Sequence, residues 1–404
     1  MADAYDVIVV GARCAGSPTA MLLARKGYRV LVVDRSTFPS DTVSTHFIHA
    51  TGVDALRRWG LLDKVIATGC PAVDTYSFDF GPITISGTPF PAGGSAIAYA
   101  PRRTVLDTLL VDAATAAGAE VREGFTVDEI IVEDGQVRGV RGRDRDGNTV
   151  VEHASVVIGA DGTNSRVATA VGAQRYNEKP VLQAGYYSYF ADLPVNGFEI
   201  TIRPDRGWAA LPTNDGLTLV VLGWPYAEHT ANRVDVEGNF LKSLELSPDF
   251  AERIRSATRV DRFHGSPVPN FFRKPYGPGW VLVGDAGYTK DPITAQGISN
   301  AFRDAELCAS ALDSTFVGGQ SFDDAMGTYQ TERDTHSLPM YEFTSQLATL
   351  EPPPPELQQL LGGIHGNQAA MDAFVSVTAG TLSPVDFFDP SYIGTLMASP
   401  AVSH

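Results

Sequence analysis

Cysteine is scarce: the 404 residues hold three, Cys14, Cys70 and Cys308, far apart and with no C-x-x-C pair. This argues against a disulfide framework or a zinc site and fits a reducing compartment. Basic residues are also few, 31 against 47 acidic ones, for a formal net charge of −16. A surface of that sign repels polyanions, so neither nucleic acid nor an anionic membrane is expected as a partner. No apolar run approaches the length of a membrane-spanning helix. The opening MADAYDVIVV begins acidic and enters a strand directly, with no secretory signal. A cytoplasmic protein without internal repeats is expected.

What the chain does have is ordinary core material, 44% hydrophobic and 19% charged residues. Its length exceeds one compact core and predicts two domains or one large interleaved pair. DVIVVG and RVLVVDR read as strands buried on both faces, of the parallel-sheet kind. Between them SPTAMLLARKGY predicts a helix with Ser17 as N-cap, Pro18 at the first helical position and Gly27 closing it. Strand, turn, helix and strand in about 30 residues make a βαβ unit. GVDALRRWGLLDKV has helical spacing, with Val53, Leu56 and Trp59 on one face. RRTVLDTLLVDAATAAG predicts another helix, and strands with Asp-Gly turns lead to SVVIGA. From about Val181 to Phe272 the aromatic and β-branched segments YYSYF, FEITIRP, GWAALP and LTLVVLGWP predict an inserted antiparallel sheet. GWVLVGDAG returns to the buried style, GISNAFRDAELCASAL reads as a long helix, and EPPPPE as a stiff spacer before further helices.

Three motifs carry chemistry. In VIVVGARCAGSPTA, Gly11 supplies a tight strand exit and Gly16 lets the helix pack on the strand, so helix-start N–H groups face a pyrophosphate. Asp34 ends the second strand, where a carboxylate accepts ribose hydroxyls and disfavours a 2′-phosphate. Arg13 stands where the middle glycine of such a turn belongs; it either faces solvent or extends along the diphosphate, and guanidinium–phosphate geometry favours the second. VVIGADGTNSRVA delivers Asp161 and Gly162 to a loop. In GWVLVGDAGYTKDPITAQGIS, Asp285 ends a strand and Pro292, Ala295 and Gly297 lead into a helix whose positive end suits a reduced flavin.

Together these motifs, with Arg103 and Leu106 as an R-x-x-L helix start, resemble the FAD-dependent monooxygenases of the para-hydroxybenzoate hydroxylase type over roughly residues 5 to 330. The resemblance implies an α/β fold: a Rossmann-like FAD-binding domain of the glutathione-reductase type, an inserted antiparallel substrate sheet and C-terminal helices. The division it implies assigns 1–73, 101–180 and 276–330 to the FAD domain. It assigns 74–100 and 181–275 to the substrate domain and 331–404 to a C-terminal helical region. Carried over by position, Gly11, Arg13, Cys14, Ala15 and Gly16 line the diphosphate, and Asp34 and Arg35 hold the adenosine ribose. Arg103 reaches the ribityl or diphosphate region, Val127 presents its backbone to adenine, and Asp285 binds ribityl hydroxyls. Pro292 sits beside the isoalloxazine, with Gly297 and Ile298 on its pyrimidine edge. Asp161 is associated with both FAD and NADPH function. The sequence departs from the family at Tyr288, Ala295 and Ser299, on the flavin's active face.

The implied activity is hydroxylation or epoxidation of an aromatic or polyketide-like small molecule with O2, through a flavin C4a-hydroperoxide, with NAD(P)H or a separate flavin reductase as reductant. No second glycine fingerprint offers a nicotinamide domain. His46 is a candidate to hydrogen-bond flavin or substrate with His49 behind it, or both support the 51–60 helix. Asp291 polarises a phenol or is a solvated loop carboxylate. Strand residues 186–190 and Trp208 line a pocket or pack a core. No metal is expected. Rival readings are a flavin-dependent halogenase, demoted because GWAALP has one tryptophan, a geranylgeranyl-reductase-like alkene reductase, and a non-redox flavin-binding protein.

Overall fold

The computed structural model describes residues 5–398. Its first sheet is built around Tyr5–Val10, which pairs in parallel with Val30–Asp34 on one side and Thr149–Gly159 on the other. Glu120–Glu123 extends one edge and Trp280–Leu282 the other, both in parallel. The order reverses about the first strand, so the carboxyl ends of neighbouring strands diverge and leave a crevice. These strands read as unbroken β-branched runs because both faces are covered: Val7, Val9, Val30 and Val32 pack under helices on one side. Ile8, Val10, Leu31 and Val33 pack on the other against Phe125, Val127 and Val140.

The helix after the glycine turn begins two residues earlier than expected. It spans Gly16–Arg25 with Ala15 as cap residue, and the Ser17 hydroxyl donates to the Ala12 carbonyl at 2.8 Å instead of capping. Pro18 falls inside the first turn, where its missing N–H has no intrahelical partner to lose. The GVDALRRWGLLDKV segment is two helices, Ala50–Trp59 and Leu62–Ile66, broken at Gly60 in the left-handed region. Val53, Leu56 and Trp59 are buried on one face, as expected.

The second sheet gathers two distant inserts. Gln183–Ala191, Thr218–Pro225, Arg206–Pro212 and Phe198–Arg203 run antiparallel. Phe198–Arg203 then joins Tyr76–Asp79 in parallel, so this sheet is mixed at the seam between inserts. The 181–272 region also contains helices missed in the sequence, Val236–Leu244 and Pro248–Ser256. They bury Phe240, Leu244, Phe250 and Ile254 against Trp208, Leu222 and Trp224 on one face of the sheet.

The opposite face meets the C-terminal helices. A 26-residue helix, Phe322–Leu347, crosses the expected boundary at residue 330 despite Pro339 within it. After the proline stretch, Pro355–Ile364 and Gln368–Ala379 place Leu361, Ile364, Ala370 and Phe374 against Phe47, Tyr76, Phe78 and Phe198. No helix among the described residues is long and apolar enough to cross a membrane. Phe374 packs edge-on to Phe78 at 5.3 Å. Phe374→Ala is expected to cost about 3–4 kcal/mol through the cavity left behind; a urea titration showing under about 1 kcal/mol would mean this helix is not part of the core.

Candidate active site

A cavity of about 730 Å³ opens at the carboxyl ends of the parallel strands. Gly11, Arg13, Cys14, Ala15, Asp34, Arg35, Arg103, Val127, Asp161, Asp285, Pro292, Gly297 and Ile298 all lie on its wall. Gly16 is packed beneath the turn: a Cβ there would stand 1.8 Å from the Gly11 carbonyl oxygen, so the close approach of helix and turn requires glycine. Gly11 itself has φ +103°, and a Cβ would meet the Ala160 carbonyl oxygen at 2.4 Å. Asp34 accepts the Ala12 N–H at 2.8 Å and the Ser36 N–H at 2.7 Å, one on each carboxylate oxygen. Each oxygen keeps a lone pair for a ribose hydroxyl. Asp285 exposes its carboxyl to the cavity, and burial in the surrounding protein pushes its pKa up.

Arg13 departs from the favoured expectation. Its terminal nitrogens donate to Asp107 at 2.5 Å, to the Ser40 carbonyl at 3.2 Å and hydroxyl at 3.0 Å, and to the Asp41 carbonyl at 3.3 Å. The fork is committed to a helix and a loop, so it is not free to pair bidentately with a diphosphate. Asp107, which sequence reading missed, is wholly buried. It also accepts Arg103 Nε at 3.0 Å and the Cys14 thiol at 3.4 Å. The available signal was the i, i+4 spacing of Arg103 and Asp107 on one helix. Burial pushes the Cys14 thiol far up, which fits a packing role.

The histidines sit elsewhere than the catalytic reading placed them. His46 is fully buried at φ +64° and absent from the cavity wall, which neighbouring Ser44 and Thr45 do line. Its Nε2 bonds the Tyr189 hydroxyl, and burial, helped by Arg103 and Arg102, lowers its pKa to about 3. It is neutral. His49 Nε2 donates to the Thr294 carbonyl at 3.0 Å, so Nδ1 accepts from the Tyr76 hydroxyl at 2.8 Å. That pair ties the start of the Ala50 helix to the loop after Pro292, the supporting role.

Asp291 does reach the cavity. Its Oδ1 accepts from the Gln183 amide and from the Ile293 N–H at 3.0 Å, while Oδ2 is buried with no partner among the described residues. Burial raises its pKa to about 7, against the pull of those two bonds. Gly185, Tyr187, Val221 and Ser266 line the cavity from the second sheet, and Val268 from just beyond it. Strand alternation decides which aromatics take part: Tyr187 lines the cavity, while Tyr186 stacks on Trp224 at 5.2 Å and Trp208 packs against Phe250 at 6.0 Å.

The fit to a dinucleotide is supported by unsatisfied wall atoms. Asp161 Oδ1, Asp291 Oδ2 and the Asn300 amide nitrogen are buried without partners among the described residues, and all three residues line the cavity. A Cβ on Gly162 or Gly297 would meet nothing within 4 Å, so backbone there lies open to a ligand. Among the described residues no cluster suited to a metal ion occurs.

Two outcomes follow from this geometry. Arg13→Gly, which restores the usual glycine pattern, is expected to cost about 1–3 kcal/mol by stripping a donor from buried Asp107. Limited proteolysis should then cut faster between residues 36 and 45, and an unchanged cleavage rate would count against the latch. Asp291 has a raised native pKa, so in flavin-free protein its contribution is full below pH ~4 and is lost as pH rises towards ~7. Asp291→Asn should therefore match wild type in thermal melts at acid pH and exceed it by up to about 4 kcal/mol above neutrality.

The comparisons agree with this geometry. The FAD binding domain family model matches residues 4–344. Digeranylgeranylglycerophospholipid reductase of Methanosarcina mazei is 31% identical over 333 residues, covering 79% of this chain and 77% of the relative. Among solved structures, the myxobacterial chondrochloren halogenase CndH superposes with a TM-score of 0.81 at 22% identity, covering 98% of this chain and 96% of that one. PqsL of Pseudomonas aeruginosa gives 0.74 at 20% identity, covering 87% and 97%. The glycine turn, Asp34, Asp285 and the Gly297 helix start converge on one groove because this chain belongs to the FAD binding domain family and is an FAD-dependent oxidoreductase.

Proposed function

We propose that the protein is a monooxygenase that hydroxylates or epoxidises an aromatic or polyketide-like small molecule, with NAD(P)H or a separate flavin reductase as the source of electrons. The observation that carries this reading is the continuity of the cavity from the FAD groove to the wall of Gly185, Tyr187, Val221, Ser266 and Val268. Bound FAD supplies electron transfer and oxygen activation. The residues assigned to hold it are Gly11, Cys14, Ala15 and Gly16 at the diphosphate, Asp34 and Arg35 at the ribose, and Val127 at the adenine. Asp285 and Arg103 serve the ribityl chain, and Pro292, Gly297 and Ile298 the ring.

The chain's own contribution is orientation, exclusion of water and one proton. The substrate end is lined mainly by small and apolar side chains together with Tyr187. Asp291, with a pKa of about 7, divides between acid and carboxylate at neutral pH. As the carboxylate, Oδ2 accepts the proton of a phenol and enriches the ring; as the acid, it donates to a substrate oxygen. Gln183 fixes the carboxyl plane through Oδ1. His46 and His49 hold the loops around this end.

A second reading, reduction of an isolated alkene, draws on the M. mazei relative and on the same Asp291 as proton donor. Product mass separates the two: oxygen uptake with a gain of one oxygen atom supports the monooxygenase, and a gain of two hydrogens without oxygen uptake supports the reductase. Gly185 has open space beside it, its nearest foreign atom 3.9 Å from a built Cβ. Gly185→Leu is expected to raise KM while FAD content stays full; an unaffected KM would remove this wall from the substrate site.

A further inference from the structure

The cavity side of the second sheet carries a stripe without side chains. Gly185 stands opposite Gly223, and Gly223 opposite Gly207, on three neighbouring strands. Strand alternation puts all three on the face of Tyr187 and Val221, which line the cavity, while Tyr186, Leu222 and Trp208 point the other way. Glycine inside a strand weakens it and marks a place where another group comes close to the backbone. The three positions are used differently. Gly185 is open to the cavity. A Cβ on Gly207 would meet Leu350 Cδ2 at 3.3 Å. A Cβ on Gly223 would stand 2.0 Å from Gln183 Oε1, 3.1 Å from its Cδ and 3.8 Å from its Nε2, so its three nearest foreign atoms all belong to one side chain.

Gln183 is buried two residues before Gly185 on the same face. Its side chain lies over the bare backbone of Gly223, and from there Nε2 donates to Asp291 Oδ1. The Asp291 N–H is anchored separately, donating to Asn270 Oδ1 at 2.7 Å, and Oδ1 also accepts the Ile293 N–H at 3.0 Å. Two donors on Oδ1 leave Oδ2, which has no partner among the described residues, as the atom turned to a ligand. Lys290 precedes Asp291 in the chain, Tyr187, Tyr288 and Asp285 line the same cavity, and His49 holds the loop beyond through the Thr294 carbonyl. None of these is a leading influence on the carboxyl, which is governed by burial, the Gln183 amide and the Ile293 N–H.

We propose that Gly223 is a positioning residue for Asp291: by having no side chain it lets Gln183 lie flat on the sheet, and Gln183 in that course turns Oδ2 towards the substrate. The inference rests on the proton role given above to Asp291 and adds to it a residue that touches neither substrate nor cofactor. The chain of cause runs through one amide. A methyl group at position 223 leaves the strand's own backbone undisturbed, because φ there is not positive and no backbone atom stands near the new carbon. It displaces the flexible end of Gln183 instead. Asp291 then keeps the Ile293 N–H but loses a donor that favours its ionised form, so the proton is held more tightly and the carboxyl is free to turn.

The test uses the FAD-loaded protein and needs no substrate. It follows with pH the infrared band of the protonated carboxyl that Asp291→Asn abolishes, and takes the midpoint of its loss. Gly223→Ala is expected to raise that midpoint by about one pH unit, the tenfold in proton affinity that one hydrogen bond to a charged group supplies. Gln183→Ala should raise it equally, and Gln183→Ala with Gly223→Ala should match Gln183→Ala alone, since the methyl group then has no amide to displace. A folded Gly223→Ala protein with full FAD and an unmoved midpoint overturns the proposal, and so do shifts that add in the double variant. If Gly223→Ala fails to fold, recovery of folding in the double variant supports the proposal, and failure of both overturns it by making Gly223 a requirement of the sheet itself. Should Asp291→Asn remove no band in the wild-type background, the Asp291 reading beneath falls instead.

Discussion

The groove depends on one buried carboxylate. Asp107, with no exposed surface, receives Arg13 from the glycine turn, Arg103 from its own helix and the Cys14 thiol. A carboxylate cannot be buried alone at tolerable cost, and two guanidinium partners with a thiol satisfy it. In satisfying it they fix three segments relative to one another: the glycine turn, the Arg103 helix and, through the rest of the Arg13 fork, the loop at Ser40 and Asp41. The substitution of arginine for the middle glycine is therefore architectural. It gives up some backbone access and gains a clamp on the loop that walls the cavity.

From that fixed turn the remaining geometry follows. The parallel sheet places Gly11, Asp34, Asp161 and Asp285 at strand ends around a crevice. The mixed sheet closes the far end, with Tyr187 and Gly185 facing in, while its other face is committed to Trp208, Trp224 and the helices beneath them. His49 clasps the loop after Pro292 to the Ala50 helix, and Gln296 donates to the Thr378 carbonyl of a C-terminal helix. That helix lies beyond the span matched by the family model, and it braces the loop that walls the cavity.

Away from that clamp, four buried ionisable groups are held near neutrality. His46 and His49 are neutral, Asp291 and Lys290 titrate near pH 7, and burial is the leading cause in each. This part of the interior stores little charge of its own. It responds to what enters, which suits a site whose cofactor changes charge with its redox state.

The FAD domain could be read from the chain because its signals are local. A β-branched run, a glycine exit, a helix and a terminal aspartate lie within a few turns of each other, and short-range sterics dictate the order. The helices at 236–256 and the break at Gly60 were within reach of the same reasoning, through the Asp235 cap and the glycine itself. The contacts of Arg13 and His46 were not. Arg13 is decided by Asp107, 94 positions away, and His46 by Tyr189, 143 away. Sequence determined which residue types were available and which strand or helix would carry them, since backbone preferences act over neighbours. Only the tertiary structure decided whether a side chain meets a partner, solvent or an empty wall, because burial and pairing are set by segments the chain brings together from far apart.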